Sequence, residues 1–126
     1  MHFLNKFLKG EKINIYGNGK QIRDILYIDD LISAYMLALN KIDKSIGNTY
    51  NIGGGIKNKV SLIEFIKILE TKFNKRAKLT FYKPRLGDQK VFFSENRKVS
   101  KDLGWKVKVG ITDGIDKLHE WVLQVK

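Results

Sequence analysis

The 126-residue chain has no cysteine and one proline, and acidic residues are scarce: 13 Asp and Glu stand against 24 Lys and Arg. Without cysteine there is no disulfide framework and no thiolate metal site. No apolar run approaches the roughly 18 residues of a membrane span. The opening Met1-His2-Phe3-Leu4-Asn5-Lys6 lacks the apolar stretch of a secretory signal. These absences make a cytoplasmic protein with no membrane partner the expectation. His2 and His119 have no partner histidine or cysteine, so neither suggests a metal ligand. The formal charge of +11 argues for a polyanionic partner. Yet the lysines are scattered through nearly every segment and form no basic block of roughly 5–8 residues. A lysine-rich solvated surface is the plainer account, phosphate attraction at one site comes second, and nucleic acid third.

With 43% hydrophobic residues the chain can build a core, as one domain or part of one. Phe3–Leu8 reads as the tail of a helix ending at Gly10. Ile13–Tyr16 alternates as a strand, Gly17-Asn18-Gly19 is a turn, and Ile25–Ile28 reads as a second strand. Asp29 or Asp30 is expected to cap a helix carrying Leu31, Ala34, Tyr35, Leu37, Ala38 and Leu39 mostly on one face. Asn48–Ile52 reads as a strand running into Gly53-Gly54-Gly55. Ser61 and Glu64 form a capping box, with Val60 and Phe65 placed for a hydrophobic staple. The helix that follows carries Leu62, Phe65, Ile66, Leu69 and Phe73 in a stripe. Leu79–Tyr82 and Val91–Phe93 read as strands. A short helix with Val99 and Leu103 inward ends at Gly104. Thr112 is expected to cap the last helix, with Ile115, Leu118, Val122 and Val125 on one side. Trp105 and Trp121 read as core or near-core. Strands and helices alternate, which predicts an α/β fold in a single domain, residues 1–126.

Two segments carry chemistry. Arg23 lies in Gly17-Asn18-Gly19-Lys20-Gln21-Ile22-Arg23-Asp24-Ile25-Leu26-Tyr27-Ile28-Asp29-Asp30, and Arg85 in Arg85-Leu86-Gly87-Asp88-Gln89 just after Pro84, which stiffens its loop. Each sets a permanent cation beside glycine-loosened backbone. A planar guanidinium grips two phosphate oxygens at once. Two such clamps suggest a pyrophosphate-bearing ligand, and a nucleotide-sugar is the obvious candidate. The plainer reading of each arginine is an ion pair with Asp24 or Asp88.

In this order, these segments resemble the C-terminal part of an extended short-chain dehydrogenase/reductase of the NAD-dependent epimerase/dehydratase family. The features are the strand before Gly17, Gly17-Asn18-Gly19-Lys20-Gln21-x-Arg23-Asp24-x-x-Tyr27 with its following helix, and Tyr50-Asn51-Ile52-Gly53-Gly54-Gly55. They continue with Arg85-x-Gly87-Asp88-Gln89, Leu103-Gly104-Trp105 and Glu120-Trp121. The triple glycine, Ser61-Leu62 and Gly87-Asp88-Gln89-Lys90-Val91 fit the branch of 2-epimerases acting on CDP-sugars. Sister 4-epimerases and 4,6-dehydratases share much of this.

The resemblance implies the substrate-binding part of an extended Rossmann-type enzyme, without its N-terminal dinucleotide-binding half. No G-x-x-G-x-x-G opens a helix here. Tyr16-x-x-x-Lys20 has the spacing of the family's catalytic Tyr–Lys pair, but Gly-Asn-Gly disfavours the helical turn that pair needs. No catalytic residue and no bound cofactor is therefore expected in this chain alone. NAD belongs to the complete enzyme, where it exchanges hydride with a sugar carbon and a tyrosine takes the proton. The implied ligand is a nucleotide-diphosphate sugar, a CDP-sugar favoured. Arg23 and Arg85 match phosphate-holding positions, and Asp88 one that contacts the ribose or orients the arginine. Asn14, Ile15 and Tyr16 match the strand beside the base, and Asn58 an asparagine that touches the nucleotide. Tyr16 as strand packing, Asp88 as loop cap and Asn58 as an unrelated loop residue remain open. A separate NAD-binding half is a further possible partner. Strand Asn48–Ile52 would lack its neighbour without such a half, which implies self-association into a homo-oligomer. A non-catalytic nucleotide-sugar-binding module and a basic nucleic-acid-binding domain are the competing readings.

Overall fold

The computed structural model describes residues 2–125. The chain runs α1 (His2–Lys9), β1 (Lys12–Tyr16), β2 (Ile22–Asp24), α2 (Ile28–Asn40), α3 (Ile42–Ser45), β3 (Lys59–Ser61), α4 (Leu62–Phe73), β4 (Lys78–Tyr82), α5 (Arg97–Leu103) and α6 (Ile111–Gln124). A 3-10 turn, Ile56–Asn58, precedes β3. Two two-stranded sheets form, β1–β4 and β2–β3. Contacts divide the chain into two compact units: 1–23 with 60–91 and 115–126, and 24–59 with 92–114.

In the first unit β1 and β4 run parallel, in register from Lys12 opposite Lys78 to Tyr16 opposite Tyr82. Parallel neighbours need a crossover, and α4 lies in that connection. Strand alternation buries Ile13 and Ile15 completely. Leu4 and Phe7 of α1, Ile66 and Leu69 of α4, and Ile115 and Val122 of α6 are the buried residues of their helices. The capping box forms as expected: the Glu64 N–H donates to Ser61 Oγ, and the Ser61 N–H donates to Glu64 Oε2 at 2.8 Å. Lys72 pairs with Asp116 at 2.7 Å, and the His119 ring packs edge-on against Phe73 at 4.8 Å.

The second unit is built on Ala34, Val99, Leu103 and Trp105, with Leu26, Leu37, Ala38, Tyr50, Ile52 and Val107 packed around them. The Trp105 indole N–H donates to the Asp30 carbonyl and to Ser33 Oγ, both at 2.9 Å. Asp30 is 2% exposed, and its carboxylate accepts the backbone N–H groups of Lys108 and Val109.

Several local expectations are corrected. Ile25–Ile28 is no strand: Ile25 N–H bonds the Asn58 carbonyl, Tyr27 takes an extended N-cap conformation and α2 opens at Ile28. Neither Asp29 nor Asp30 caps that helix; both lie in its first turn. Asn48–Ile52 sits in no ladder, although Tyr50 and Ile52 pack on the core. Val91 makes a single bridge to Ile22 and Phe92 and Phe93 make none. The last helix opens at Ile111, with the Gly110 carbonyl accepting from Gly114, so Thr112 lies inside it. Trp121 is 46% exposed and belongs to the surface.

Candidate functional site

Strand parity decides which side chains face the site. With Ile13 and Ile15 turned inward, Asn14 and Tyr16 face the opposite side. They line a cleft of about 590 Å³ in the first unit, together with Lys6 of α1, Gln21, Arg85, Leu86 and Asp88. Small-molecule sites fall in the range of roughly 300–1,000 Å³. Two cations and one carboxylate in this group favour an anion.

Tyr16 is the centre of the cleft. Its ladder partner Tyr82 stacks on it, ring centroids 5.5 Å apart and planes 28° from parallel. The Arg85 guanidinium carbon lies 3.8 Å from the Tyr16 ring centroid, a cation–π contact. Gln21 also belongs to this wall, its amide donating to the Tyr16 carbonyl at 3.1 Å.

Arg85 rides on the loop after β4, which is fastened beyond its tip. Asp88 N–H donates to the Arg85 carbonyl at 3.3 Å, and Ile22 N–H to the Lys90 carbonyl at 2.9 Å. Gly87 holds the turn at φ +79°, where a side chain would be strained. Arg23 Nη2 donates to Asp88 Oδ1 at 3.0 Å, and its Nη1 to the Ile22 carbonyl at 2.7 Å. Arg23 thus holds the carboxylate that lines the cleft and is not itself a lining residue. The pair stays open to water, with side chains 40% and 33% exposed.

Ile15 has its side chain in the core, leaving only its backbone to offer a ligand. Asn58 belongs to the second unit and is 6% exposed. Its amide donates to the carbonyls of Ile25 at 3.2 Å and Val109 at 2.8 Å, tying the 3-10 turn to two neighbouring segments. Among the lining residues that the sequence did not mark as site residues are two polar ones from α1, His2 and Lys6, one helical turn apart. Their i, i+4 spacing was the available signal, masked by the apolar pattern of the same helix.

In the second unit the triple glycine wraps a carboxylate. Asp24 Oδ2 accepts the N–H groups of Gly55 at 2.8 Å and Ser94 at 2.9 Å. Burial alone would push this carboxyl up, but the bonds from Ser94 and Gly55 outweigh it and hold it below its ordinary value. Asn96 pairs with Gly53 in both directions, donating to its carbonyl at 2.8 Å and accepting its N–H at 3.3 Å.

Tyr16 closes β1 and Lys20 follows the turn, so no helical turn joins them. After β1 the Gly17-Asn18-Gly19 turn leads into β2 rather than a helix, and no helix N-terminus is offered to a dinucleotide there. These residues do not form a dinucleotide cradle. Among the described residues no group of three His, Asp or Glu side chains is placed to hold a metal. No helix among them is long and apolar enough to cross a membrane.

The fold and cleft define an α/β chain that matches the C-terminal part of Rossmann-type nucleotide-sugar enzymes. A profile of the NAD dependent epimerase/dehydratase family matches residues 1–53, and the chain belongs to that family. It is 40% identical over 111 residues to CDP-paratose 2-epimerase of Salmonella typhi, covering 88% of this chain and 33% of that protein. It is 32% identical over 119 residues to UDP-glucuronate 4-epimerase of Thermodesulfobacterium geofontis, covering 94% and 36%. UDP-glucuronic acid 4-epimerase from Bacillus cereus, solved in complex with UDP-glucuronic acid and NAD, matches with TM-score 0.87 at 31% identity. That match covers 98% of this chain and 38% of the other. The chain therefore spans about a third of the length of the curated relatives it matches.

Proposed function

We propose that this chain supplies the nucleotide-sugar-binding portion of an NAD-dependent nucleotide-sugar epimerase, with a CDP-sugar as the favoured ligand. The observation that carries this reading is the pairing of Arg85 with Tyr16 in an open cleft. One residue offers a guanidinium to a diphosphate and the other an aromatic face to a base. Asn14 and Gln21 add polar edges beside them, and Lys6 a second cation. In this reading Asp88, held by Arg23, accepts a ribose hydroxyl. The 40% identity to a CDP-paratose 2-epimerase favours CDP over UDP or dTDP.

Arg23 acts in this reading through Asp88. Asn58 and Ile15 support the scaffold. The chain is inactive alone, because Tyr16 and Lys20 do not share a helix and the dinucleotide turn is formed elsewhere. NAD supplies hydride exchange when bound by the dinucleotide-binding half, on the same polypeptide or another.

A thermal-shift comparison of CDP, UDP, GDP and dTDP tests this. CDP should raise the melting temperature most, and the Arg85→Ala variant should lose the shift. An equal response to all four would remove the CDP preference. No response to any, with a salt-dependent response to DNA instead, would replace the reading by nucleic-acid binding.

A further inference from the structure

Arg85 covers the surface that a nucleobase would use. Its guanidinium carbon is 3.8 Å from the Tyr16 ring centroid, a van der Waals contact that leaves no room for a base on that face. Among the described residues this guanidinium makes no hydrogen bond or ion pair with the protein. Arg23 differs, being engaged by Asp88 and by the Ile22 carbonyl. The loop carrying Arg85 is pinned from Asp88 to Val91, while Arg85 and Leu86 at its tip are exposed. Arg85 is thus a guanidinium with its donors free, on an exposed tip where rotation of its own side chain would lift it from the ring.

We infer that Arg85 gates the cleft, lying on Tyr16 until a diphosphate draws it off, so that the base stacks only when the phosphates are present. The inference rests on the nucleotide reading of the cleft and adds an order of events and a selectivity to it. A charge-assisted pair with a diphosphate is stronger than an exposed cation–π contact. A diphosphate therefore removes Arg85 from the ring without cost from the base. A nucleoside has no such handle and must displace the guanidinium itself. The cleft selects nucleoside diphosphates and their esters over free nucleosides, and phosphate and base bind with positive coupling.

The test is equilibrium binding of cytidine, uridine, inorganic pyrophosphate, CDP and UDP to the wild-type chain and to Arg85→Ala, both checked for folding by circular dichroism. The gate requires opposite signs for one substitution. Arg85→Ala should bind the better nucleoside roughly three- to fivefold more tightly, the strength of an exposed cation–π contact. It should bind the matching diphosphate roughly tenfold more weakly, as loss of one charged hydrogen-bond partner demands. Saturating pyrophosphate should tighten nucleoside binding to wild type and leave Arg85→Ala unchanged. If the substitution weakens or leaves unaltered the affinity for nucleosides, or if neither nucleoside binds the variant while a diphosphate binds wild type, the gate is overturned and the nucleotide reading survives. If no diphosphate binds wild type, both fall together.

Discussion

Arg23 and Asp88, 65 residues apart in sequence, meet at 3.0 Å and fasten the Arg85 loop to β2. The contact is half-wet, so its worth lies in position more than in energy. An exposed pair contributes about 0.2–1 kcal/mol. Arg23→Ala should therefore lower the melting temperature only slightly while weakening nucleoside-diphosphate binding roughly tenfold or more, as the loop loses its tie and Asp88 its orientation. A double-mutant cycle with Asp88→Ala measures this. Additive losses in affinity would mean that the two residues act independently and that the tie is incidental.

Asp24 gives the second unit a pH dependence with a definite sign. Its carboxyl is held below the ordinary value of 3.8 by the N–H groups of Ser94 and Gly55, which outweigh burial. A folded-state value below the unfolded one means stability that is complete above the unfolded value and lost as pH falls through the folded one. Urea melts should show no pH dependence from Asp24 between pH 6 and 8, where its contribution is complete, and a decline beginning below about pH 4. Asp24→Asn should flatten that acid limb and cost about 1 kcal/mol at neutral pH, because two part-buried N–H groups lose a charged acceptor. An acid limb unchanged by the substitution would assign it to other carboxylates.

Gly54 of the triple glycine and Gly87 of the Arg85 loop are required for different reasons. A Cβ on Gly54 would be driven into the Ile25 backbone carbonyl, which cannot rotate away. At Gly87 an added Cβ meets nothing within 4 Å, and only its φ of +79° resists. Gly54→Ala should cost several kcal/mol and leave little folded protein by circular dichroism, whereas Gly87→Ala should cost about 1 kcal/mol and keep the fold. Comparable losses at both positions would mean that backbone strain, not close approach, decides them.

How much of this was legible depended on how local each signal is. The Ser61–Glu64 capping box and the inward Ile13–Ile15 alternation were readable because their partners lie within a few residues. The same parity turned Asn14 and Tyr16 toward the cleft. Asp30 was misread as a cap because its real partners, the N–H groups of Lys108 and Val109, lie 78 and 79 residues away. Asn58 likewise carries two long-range bonds that no spacing rule reveals. Asn48–Ile52 has strand composition, but a strand exists only beside another, and no described strand pairs with it. The arginine motifs were visible, while the Arg23–Asp88 tie and the placing of Arg85 over Tyr16 needed the fold.

The outward face of α2 carries Ile28, Ile32, Tyr35, Met36 and Leu39, between 51% and 64% exposed. Their spacing of i, i+4, i+7, i+8 and i+11 makes one continuous stripe along the helix. Exposed apolar residues at helical spacing in one row form a patch, and a patch this long marks a contact surface. With a net charge of +11 on each copy, repulsion opposes burial of that stripe against a second copy. The two forces respond oppositely to salt. The isolated chain should therefore self-associate in sedimentation equilibrium, more strongly at 0.5 M than at 0.05 M NaCl, where the Debye lengths are roughly 4 and 14 Å. Ile32→Glu with Leu39→Glu should return it to monomer without lowering the melting temperature, because both side chains are already half in water. Association that weakens with added salt, or survives the double substitution, would place the contact on charged surface instead.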